Sequence, residues 1–397
     1  MFAVDRIRGP LAFLAVTAAL GLGAAHAQAQ ESSSQVAVQD SGPQYSRGRP
    51  PGHEGHKWEN RNITLDSGAI RYTLKYSACV DPSHPASRAF EEGYIGMPAP
   101  TACNWYHSGF MFISINGQEV GICPMVDMRI TEGGARGGFH MVWDTPEATV
   151  RLQFLLQAGA NHLDSNLTWF PKPGKTVSAV ALRLVCYPSY FTAWNHRQGD
   201  RHLITPRLDK REPETVELDP VKDTYLYYPD SIFDVAKGEG EGPCAMMLLP
   251  EEIKAGRVSI GGYAVTTYLQ VAPEAKRVRL AFWDFAGKTN EEAVAYLKAN
   301  GAVVRQALAA MDFRPQAVAR LDLPLLQAEA AKALAEAGDD AAPYRPKIEA
   351  WLQKMADLKP KAEAGDWQAE TDLVNTLSDY GALFWKVRIQ ALLNKPS

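Results

Sequence analysis

Residues 110–122 read FMFISINGQEVGI, and this stretch decides the fold class. Asn116 and Gly117 separate two runs rich in apolar and β-forming residues. Asn-Gly is a favoured pair for a two-residue type I′ turn, because both turn residues must adopt a positive φ. The stretch therefore predicts an antiparallel hairpin.

Strand patterns continue on both sides of this hairpin. Ile70, Tyr72, Leu74 and Tyr76 alternate with polar residues, which is the period of a half-buried strand. Further strands are predicted at 139–144, 148–157, 163–170, 177–187, 224–228, 244–249, 257–271 and 276–284. Gly, Pro and Asn or Asp clusters bound them, and no long helices alternate with them. Residues 58–285 are therefore predicted to form a large antiparallel β-sandwich domain, which makes the chain mainly β.

The periodicity changes at Thr289. Thr289 and Glu292 match a helix-capping box, and apolar residues then recur at helical spacing. Further helices are predicted at 324–337, 344–358 and 366–392. Residues 286–397 thus form a predicted helical C-terminal region, either a small bundle or an arm packed on the sandwich. Pro315 and Pro324 interrupt the pattern, so the tail from about Leu321 is predicted to be separable.

The N-terminus is typical of a secretory signal. Arg6 and Arg8 precede an apolar run of 11–22, and Ala25-His26-Ala27 follows as a peptidase site. Residues 1–27 are predicted to be a signal peptide, with a mature protein that starts at Gln28 and is periplasmic or secreted. The alternative is an uncleaved membrane anchor. No later segment approaches the roughly 18 apolar residues of a membrane span, so no integral membrane segment is expected after signal removal. Residues 28–57, rich in Gln, Ser, Gly and Pro, are predicted to be a disordered linker.

Charge and cysteine content narrow the class further. The formal net charge is −4, which argues against a nucleic-acid partner. All five cysteines follow the signal, and Cys79 and Cys103 enclose a proline-rich loop, so a disulfide between them is predicted in an oxidising compartment. No C-x-x-C pair occurs. A structural zinc site is therefore not expected, and no cofactor is predicted.

The first candidate site lies in residues 161–170. On a strand, His162, Asp164, Asn166 and Thr168 share one face, because successive side chains alternate. A row of hydrogen-bonding groups on a sheet suits a polyhydroxylated ligand, and His162 with Asp164 could act as an acid/base pair. The alternative is an ordinary solvent-facing row.

The second candidate is the predicted loop of residues 187–202. It joins aromatic rings to hydrogen-bonding groups, a combination that suits a sugar, whose apolar face stacks on a ring while its hydroxyls need donors and acceptors. The predicted ligand-binding residues here are Trp194, His196, Arg197, Asp200 and His202. The alternative is an aromatic anchor that fixes the loop to the core.

The third candidate is Arg136, which four glycines surround in residues 133–138. Glycines let backbone amides approach a polar or anionic group closely, so Arg136 is a predicted ligand-binding residue. The alternative is a flexible hairpin tip.

These observations favour an exported glycan-binding or glycan-processing protein of the periplasm or cell surface. A reaction would use His162 with Asp164, or His196 and His202 assisted by Asp200. The alternative is a non-catalytic envelope scaffold or interaction protein that contacts a protein partner through its C-terminal helices. A metal-dependent hydrolase built from the same histidines ranks third. No sequence motif identifies a reaction.

Overall fold

The computed structural model describes residues 35–47, 54–81, 93–189 and 200–394. In these ranges the chain forms two antiparallel β-sheets, followed by a helical region. The predicted fold class, a mainly β protein with a large antiparallel sandwich and helical C-terminal region, is confirmed.

The described strands are, in chain order, β1 Ala37–Asp40, β2 Gln44–Arg47, β3 Lys57–Asp66, β4 Arg71–Cys79, β5 Tyr94–Ala99, β6 Met111–Ile115, β7 Gln118–Glu119, β8 Met125–Glu132, β9 Arg136–Asp144, β10 Ala148–Gln157, β11 His162–Pro171, β12 Val180–Cys186, β13 His202–Ile204, β14 Asp209–Arg211, β15 Glu214–Leu218, β16 Tyr225–Tyr228, β17 Cys244–Leu248, β18 Ile253–Ile260, β19 Val265–Val271 and β20 Arg277–Asp284. The α-helices are α1 Asn290–Ala310, α2 Gln316–Ala319, α3 Leu323–Ala337, α4 Arg345–Glu363 and α5 Trp367–Leu393.

The first sheet has the order β1-β3-β4-β5-β6-β12-β19-β18-β15, with β2 paired to β3 and β7 paired to β6. The second sheet has the order β14-β13-β16-β17-β20-β11-β10-β9-β8. The main hydrophobic core lies between the two sheets and includes Tyr72, Trp105, Phe154 and Phe282. Alternation of side chains along β4, β10 and β20 directs Tyr72, Phe154 and Phe282 inward, and Trp105 enters the core from the segment between β5 and β6.

The hairpin formed by β6 and β7 confirms the turn expected at Asn116-Gly117. Both residues have a positive φ, 50° for Asn116 and 83° for Gly117. These values agree with a type I′ turn, and Ile115 pairs with Gln118 directly across it. Local turn chemistry therefore sets the register of this hairpin.

The second sheet is buried on both of its faces. In β10, Leu152, Phe154 and Leu156 enter the core between the sheets. Leu155 faces the other way and packs with Ala281, Trp283 and residues of α1. Because α1 covers this outer face, Leu155 is buried there, and Arg151 and Gln153 of the same face are buried as well.

Helix α1 is fixed at both ends. The Thr289 and Glu292 side chains form the predicted capping box. At the other end, buried Arg279 donates hydrogen bonds to the carbonyls of Leu308 and Ala309, and it pairs with Glu252. A cation at a helix C-terminus also interacts favourably with the helix dipole.

Helices α3, α4 and α5 share a separate hydrophobic core. The bounds of α3 and α5 agree closely with their predicted bounds, whereas α4 continues through Pro360 to Glu363. Proline removes one backbone hydrogen bond, but Ala362 is fully buried in the bundle, so packing maintains the helix. Among the described helices, none is long and apolar enough to cross a membrane.

The predicted disordered linker, residues 28–57, differs from the structure in its described part. β1 and β2 lie within it and pair with β3. Val36 and Val38 also pack close to Gly137, where an added Cβ would come within 3 Å of both valine side chains. Pairing to the sheet edge thus orders a segment whose composition alone indicates a linker.

The helical tail is tied to the sandwich by a buried ion pair. Arg151 of β10 contacts Glu370 of α5 through two hydrogen bonds. Trp367 packs edge-on against His140, with 5.9 Å between the ring centroids. These contacts cross the boundary at which the tail was expected to separate. That a chain ending near Asp322 stays folded is still a prediction.

The predicted Cys79–Cys103 disulfide does not form, and no other pair of cysteines is bonded in the described chain. Cys103 is buried, and its thiol donates a hydrogen bond to Glu241, with 2.7 Å between sulfur and oxygen. Cys79 ends β4 opposite Trp58. The correction therefore has a physical basis, because Cys103 is engaged by an acidic residue from a distant loop.

Candidate functional site

The polar row of β11 lies on one face, as predicted. Leu163 and Leu167 enter the core between the sheets. His162 and Asp164 lie on the opposite face, where their strand neighbours across β20 are Trp283 and Ala281. Both neighbours pack in the cluster that α1 covers, so the row faces the protein's own helix and not solvent.

His162 and Asp164 form a buried pair. Their nearest side-chain atoms, Nε2 and Oδ2, are 3.7 Å apart. Asp164 is 1% exposed, and neither of its carboxyl oxygens has a hydrogen-bond partner in the described structure. Burial lowers the pKa of His162 to about 4 and raises the pKa of Asp164 well above its ordinary value. Burial thus disfavours the charged form of both side chains, and their catalytic role stays a prediction.

Other polar residues of this face hold the C-terminal segments. Gln153 donates to the carbonyl of Phe313, at 2.8 Å, and itself accepts a hydrogen bond from Asn166. Arg151 and Arg279 contact α5 and the end of α1, as described above. The row that resembles a ligand-binding face in sequence is thus largely an internal docking face.

A chain of hydrogen bonds extends this face through His140. Arg151 can only donate, so it donates to Nδ1 of His140, whose Nε2–H then donates to Asp127 at 2.8 Å. Burial lowers the pKa of His140 against the effect of Asp127. The neutral His140 ring of β9 therefore links Asp127 of β8 to Arg151 of β10, which contacts α5. Sequence reasoning missed this network, although Arg151 and Gln153 inside an apolar strand were a signal for it.

Arg136 also joins two parts of the chain. It forms an ion pair with Glu132, at 2.6 Å, and donates to the carbonyls of Asp312 and Arg314. Glu132 in turn accepts the backbone N–H of Gln316. A ligand would have to compete with these contacts, so the ligand-binding role of Arg136 stays a prediction.

Asp200 and His202 lie at the edge of the second sheet, far from His162. Trp194, His196 and Arg197 of the same candidate lie outside the described residues. Tyr227 lies on β16, next to the strand of His202. Three strand spacings, or about 14 Å, separate β16 from β11, the strand of His162. The structure therefore places Arg136, His162 with Asp164, and Asp200 with His202 in three separate locations.

Asp200 and His202 line a pocket of about 680 Å³, here called the edge pocket. It lies between β13, β14, β16, the loop after β16 and the first turn of α1. Its polar and charged lining residues are Asp200, His202, Arg211, Ser231, Asn290 and Glu291. Its other lining residues are Ile204, Tyr227, Pro229, Ile232 and Val294.

A His–Asp hydrogen bond and an Arg–Asp ion pair organise the charged side of the edge pocket. His202 Nε2 lies 2.5 Å from Asp209 Oδ1, so Asp209 and not Asp200 is its carboxylate partner. Asp200 instead lies 3.6 Å from Arg211. A His–Asp hydrogen bond orients the imidazole, which is the arrangement that a general base requires.

Asn290 holds the pocket wall in place. Its Oδ1 accepts hydrogen bonds from the Tyr227 hydroxyl and the Asp230 backbone N–H, both at 2.9 Å. Its Nδ2 donates to the Asp230 carbonyl. The Asp230 carboxylate accepts from Ser189 and from the backbone N–H groups of Glu241 and Gly242. The start of α1, β16 and the following loop therefore form one hydrogen-bonded frame around the pocket.

A second pocket, of about 410 Å³, is lined by residues that include Asn161, Asp284, Lys288 and Tyr296. Burial raises the pKa of Asp284 to about 7, although Thr101 and Asn104 donate hydrogen bonds to its carboxylate. These two hydrogen bonds fix the loop before Trp105 to the end of β20. Asp284 thus has an evident structural role, which sequence reasoning did not identify.

No group of three or more His, Cys, Asp or Glu side chains within the described ranges could hold a metal ion. The structure describes two histidines of the metal-dependent hydrolase hypothesis, His162 and His202, and these two lie apart. Histidine 196 lies outside the described residues.

No protein-family model matches the chain, and no curated protein matches it. Solved structures match it at low similarity. A GH36 alpha-galactosidase from Geobacillus stearothermophilus shares 12% identity at a TM-score of 0.31, over 57% of this chain and 41% of that one. An alpha-N-acetylgalactosaminidase from Bifidobacterium bifidum shares 10% at 0.35, over 65% and 41%. A Glycosyl Hydrolase Family 38 protein from Enterococcus faecalis shares 8% at 0.36, over 67% and 39%.

The chain spans about two fifths of the length of these solved structures. TM-scores of this size do not establish a shared fold. No functional residue is therefore transferred from them.

Proposed function

We propose that this chain is an exported glycan-binding protein of the periplasm or cell surface, with its ligand site in the edge pocket. The observation that carries the proposal is the pocket itself, which brings together Asp200, His202 and Arg211 beside an apolar wall. A volume of about 680 Å³ lies within the roughly 300–1,000 Å³ of small-ligand sites.

The chemistry of the pocket favours a neutral polyhydroxylated ligand. Its lining combines carboxylates, a guanidinium, a hydroxyl and an imidazole, which supply both donors and acceptors for sugar hydroxyls. Ile232 and Val294 offer apolar surface to the C–H face of a sugar ring. The carboxylates of Asp200 and Glu291 disfavour binding of an anionic ligand, because their negative charges offset the positive charge of Arg211.

Processing of the glycan would place His202 in the reacting position. Asp209 orients its ring, and His202 lines the edge pocket, although its side chain is only 8% exposed. Neither His162 nor Asp164 lines this pocket. Trp194, His196 and Arg197 precede Asp200 in the sequence and stay predicted contributors to binding, with Trp194 as a stacking platform.

The test is a glycan-array screen of the protein, followed by calorimetric titration of the best ligand. Arg211→Ala should weaken binding about 10-fold or more, since a hydrogen bond to a charged group contributes about 1.5–3 kcal/mol. Lys210→Ala is the matched control, because Lys210 is on the same strand, pairs with Glu214 and does not line the pocket. Equal affinities for both variants would refute the site.

The alternative is a non-catalytic envelope scaffold or interaction protein. One observation favours it: the predicted site residue Arg136 instead joins the sandwich to the segment after α1. A folded protein that binds no glycan on the array would support this alternative. Export is part of both hypotheses, and N-terminal sequencing of the mature protein tests it, with Gln28 expected as the first residue.

A further inference from the structure

The second half of α5 carries apolar side chains on two opposite faces. Phe384, Val387 and Ala391 are buried in the helical core. A second set is 54–72% exposed and is here called the distal stripe; it consists of Trp385, Ile389, Leu392 and Leu393. At 3.6 residues per turn, these four positions fall within an arc of about 100°, on the side away from the buried residues.

Positive charge borders the distal stripe. Helical geometry places Lys386 along one edge and Arg388 along the other, and the Arg388 guanidinium lies 5.3 Å from the centre of the Trp385 ring. Residues 380–397 contain three basic residues and no acidic one, although the whole chain has a net charge of −4. The stripe therefore combines an apolar surface with a local positive charge.

The acidic side chain that contacts this part of α5 lies on its other side. Asp340 accepts hydrogen bonds from Gln390 and Asn394. By helical geometry both of these residues lie outside the arc of the stripe. Lys386 and Arg388 are therefore the charged side chains of this part of α5 that border the stripe.

We propose that the distal stripe docks the protein on an anionic lipid surface, with the end of α5 lying in the plane of the interface. Trp, Ile and Leu on one face and basic residues beside them are the features of interfacial helices. The apolar side chains would enter the boundary below the headgroups, while Lys386 and Arg388 contact anionic headgroups. This proposal does not depend on the glycan site.

The same charges argue against a second copy of the chain as the occupant. In a two-fold symmetric contact, each stripe would meet an identical stripe. The basic borders would then approach each other, with no acidic residue in 380–397 to pair with them. An anionic lipid surface supplies the missing negative charge.

The test is co-sedimentation of the full chain with vesicles of phosphatidylcholine, with and without one quarter phosphatidylglycerol. The wild type should bind the anionic vesicles and lose binding at high salt. Leu392→Glu with Leu393→Glu should reduce partitioning by at least about 10-fold, because two leucines that would be buried in the lipid interface are lost. Val303→Glu is the matched control, since Val303 is an exposed apolar residue of α1.

A second variant separates charge from apolar contact. Lys386→Ala with Arg388→Ala should abolish the preference for anionic over neutral vesicles while leaving the stripe intact. Both variants should keep the wild-type melting temperature, because their side chains are exposed. The proposal is overturned if the wild type ignores anionic vesicles, binds neutral ones equally, or forms a dimer that the leucine variant dissociates without any vesicle binding.

Discussion

The second sheet carries two His–Asp pairs, one near its centre and one at its edge. His162 and Asp164 lie under α1, with 3.7 Å between their nearest side-chain atoms. His202 and Asp209 lie 2.5 Å apart beside an open pocket. Burial lowers the pKa of His162 to about 4. Similar residue types thus form a buried pair without a close hydrogen bond in one place, and in the other a hydrogen-bonded pair whose histidine lines a pocket and whose aspartate is exposed.

The cover over the sheet accounts for this difference. Helix α1 packs on Ala281 and Trp283 in the middle of the sheet, and the segment after α1 contacts Arg136 and Gln153. Beyond this cover, β13 and β14 form the sheet edge. The edge can therefore receive a ligand, whereas the central face holds the protein together.

The largest expected effect concerns the central face. Arg151→Met should destabilise the protein by about 3 to 5 kcal/mol, because it leaves Glu370 buried without its charged partner. Chemical denaturation followed by circular dichroism measures the free energy of unfolding directly.

The double variant Arg151→Met with Glu370→Leu is the control for this prediction. It removes both charges and should recover most of the lost stability, because apolar side chains often replace a buried ion pair without loss. If the single variant is as stable as the wild type, the ion pair does not hold α5 on the sandwich.

The next effect depends on pH. In the folded protein the pKa of His162 is lowered from 6.5 to about 4. As pH falls from about 6.5 towards 4, the unfolded chain therefore binds a proton at this residue and the folded protein does not, so stability is lost. This loss amounts to about 3 kcal/mol relative to a side chain that does not titrate. His162→Gln should therefore gain unfolding free energy relative to the wild type as pH falls through this range.

Asp164→Asn serves as the companion variant. Burial raises the pKa of Asp164, so this carboxyl contributes stability that is lost as pH rises, opposite in sign to the contribution of His162; its replacement by a neutral amide should therefore make the acid-induced loss steeper. Parallel pH profiles for His162→Gln and the wild type would contradict the assignment to His162.

Local patterns were sufficient to predict most of the fold. The Asn116-Gly117 turn and the Thr289–Glu292 capping box act within a few residues, and both appear as expected. β1 and β2 were missed because their stability comes from pairing with β3, which composition does not reveal. The predicted disulfide was wrong for a related reason: the Cys103 thiol donates a hydrogen bond to Glu241, which is far away in the sequence.

The site was only partly predictable for the same physical reason. Alternation correctly placed His162 and Asp164 on one face, but whether that face meets solvent depends on α1, which begins at residue 290. Asp200 and His202 were placed in a loop suited to a ligand, and both line the edge pocket. Arg211 and Asn290, which complete the pocket, carry no local signal.

The smallest expected effect sharpens the contrast between centre and edge. Arg211 and Asp200 form an ion pair as Arg151 and Glu370 do, but their side chains are 58% and 68% exposed. Exposed pairs contribute about 0–1 kcal/mol, so Arg211→Ala should change the free energy of unfolding by less than about 1 kcal/mol. The same denaturation experiment as for Arg151→Met measures it. A loss as large as that of Arg151→Met would mean that the edge pocket is also part of the structural frame. With stability unchanged, any loss of glycan binding in this variant reports on the ligand contact alone.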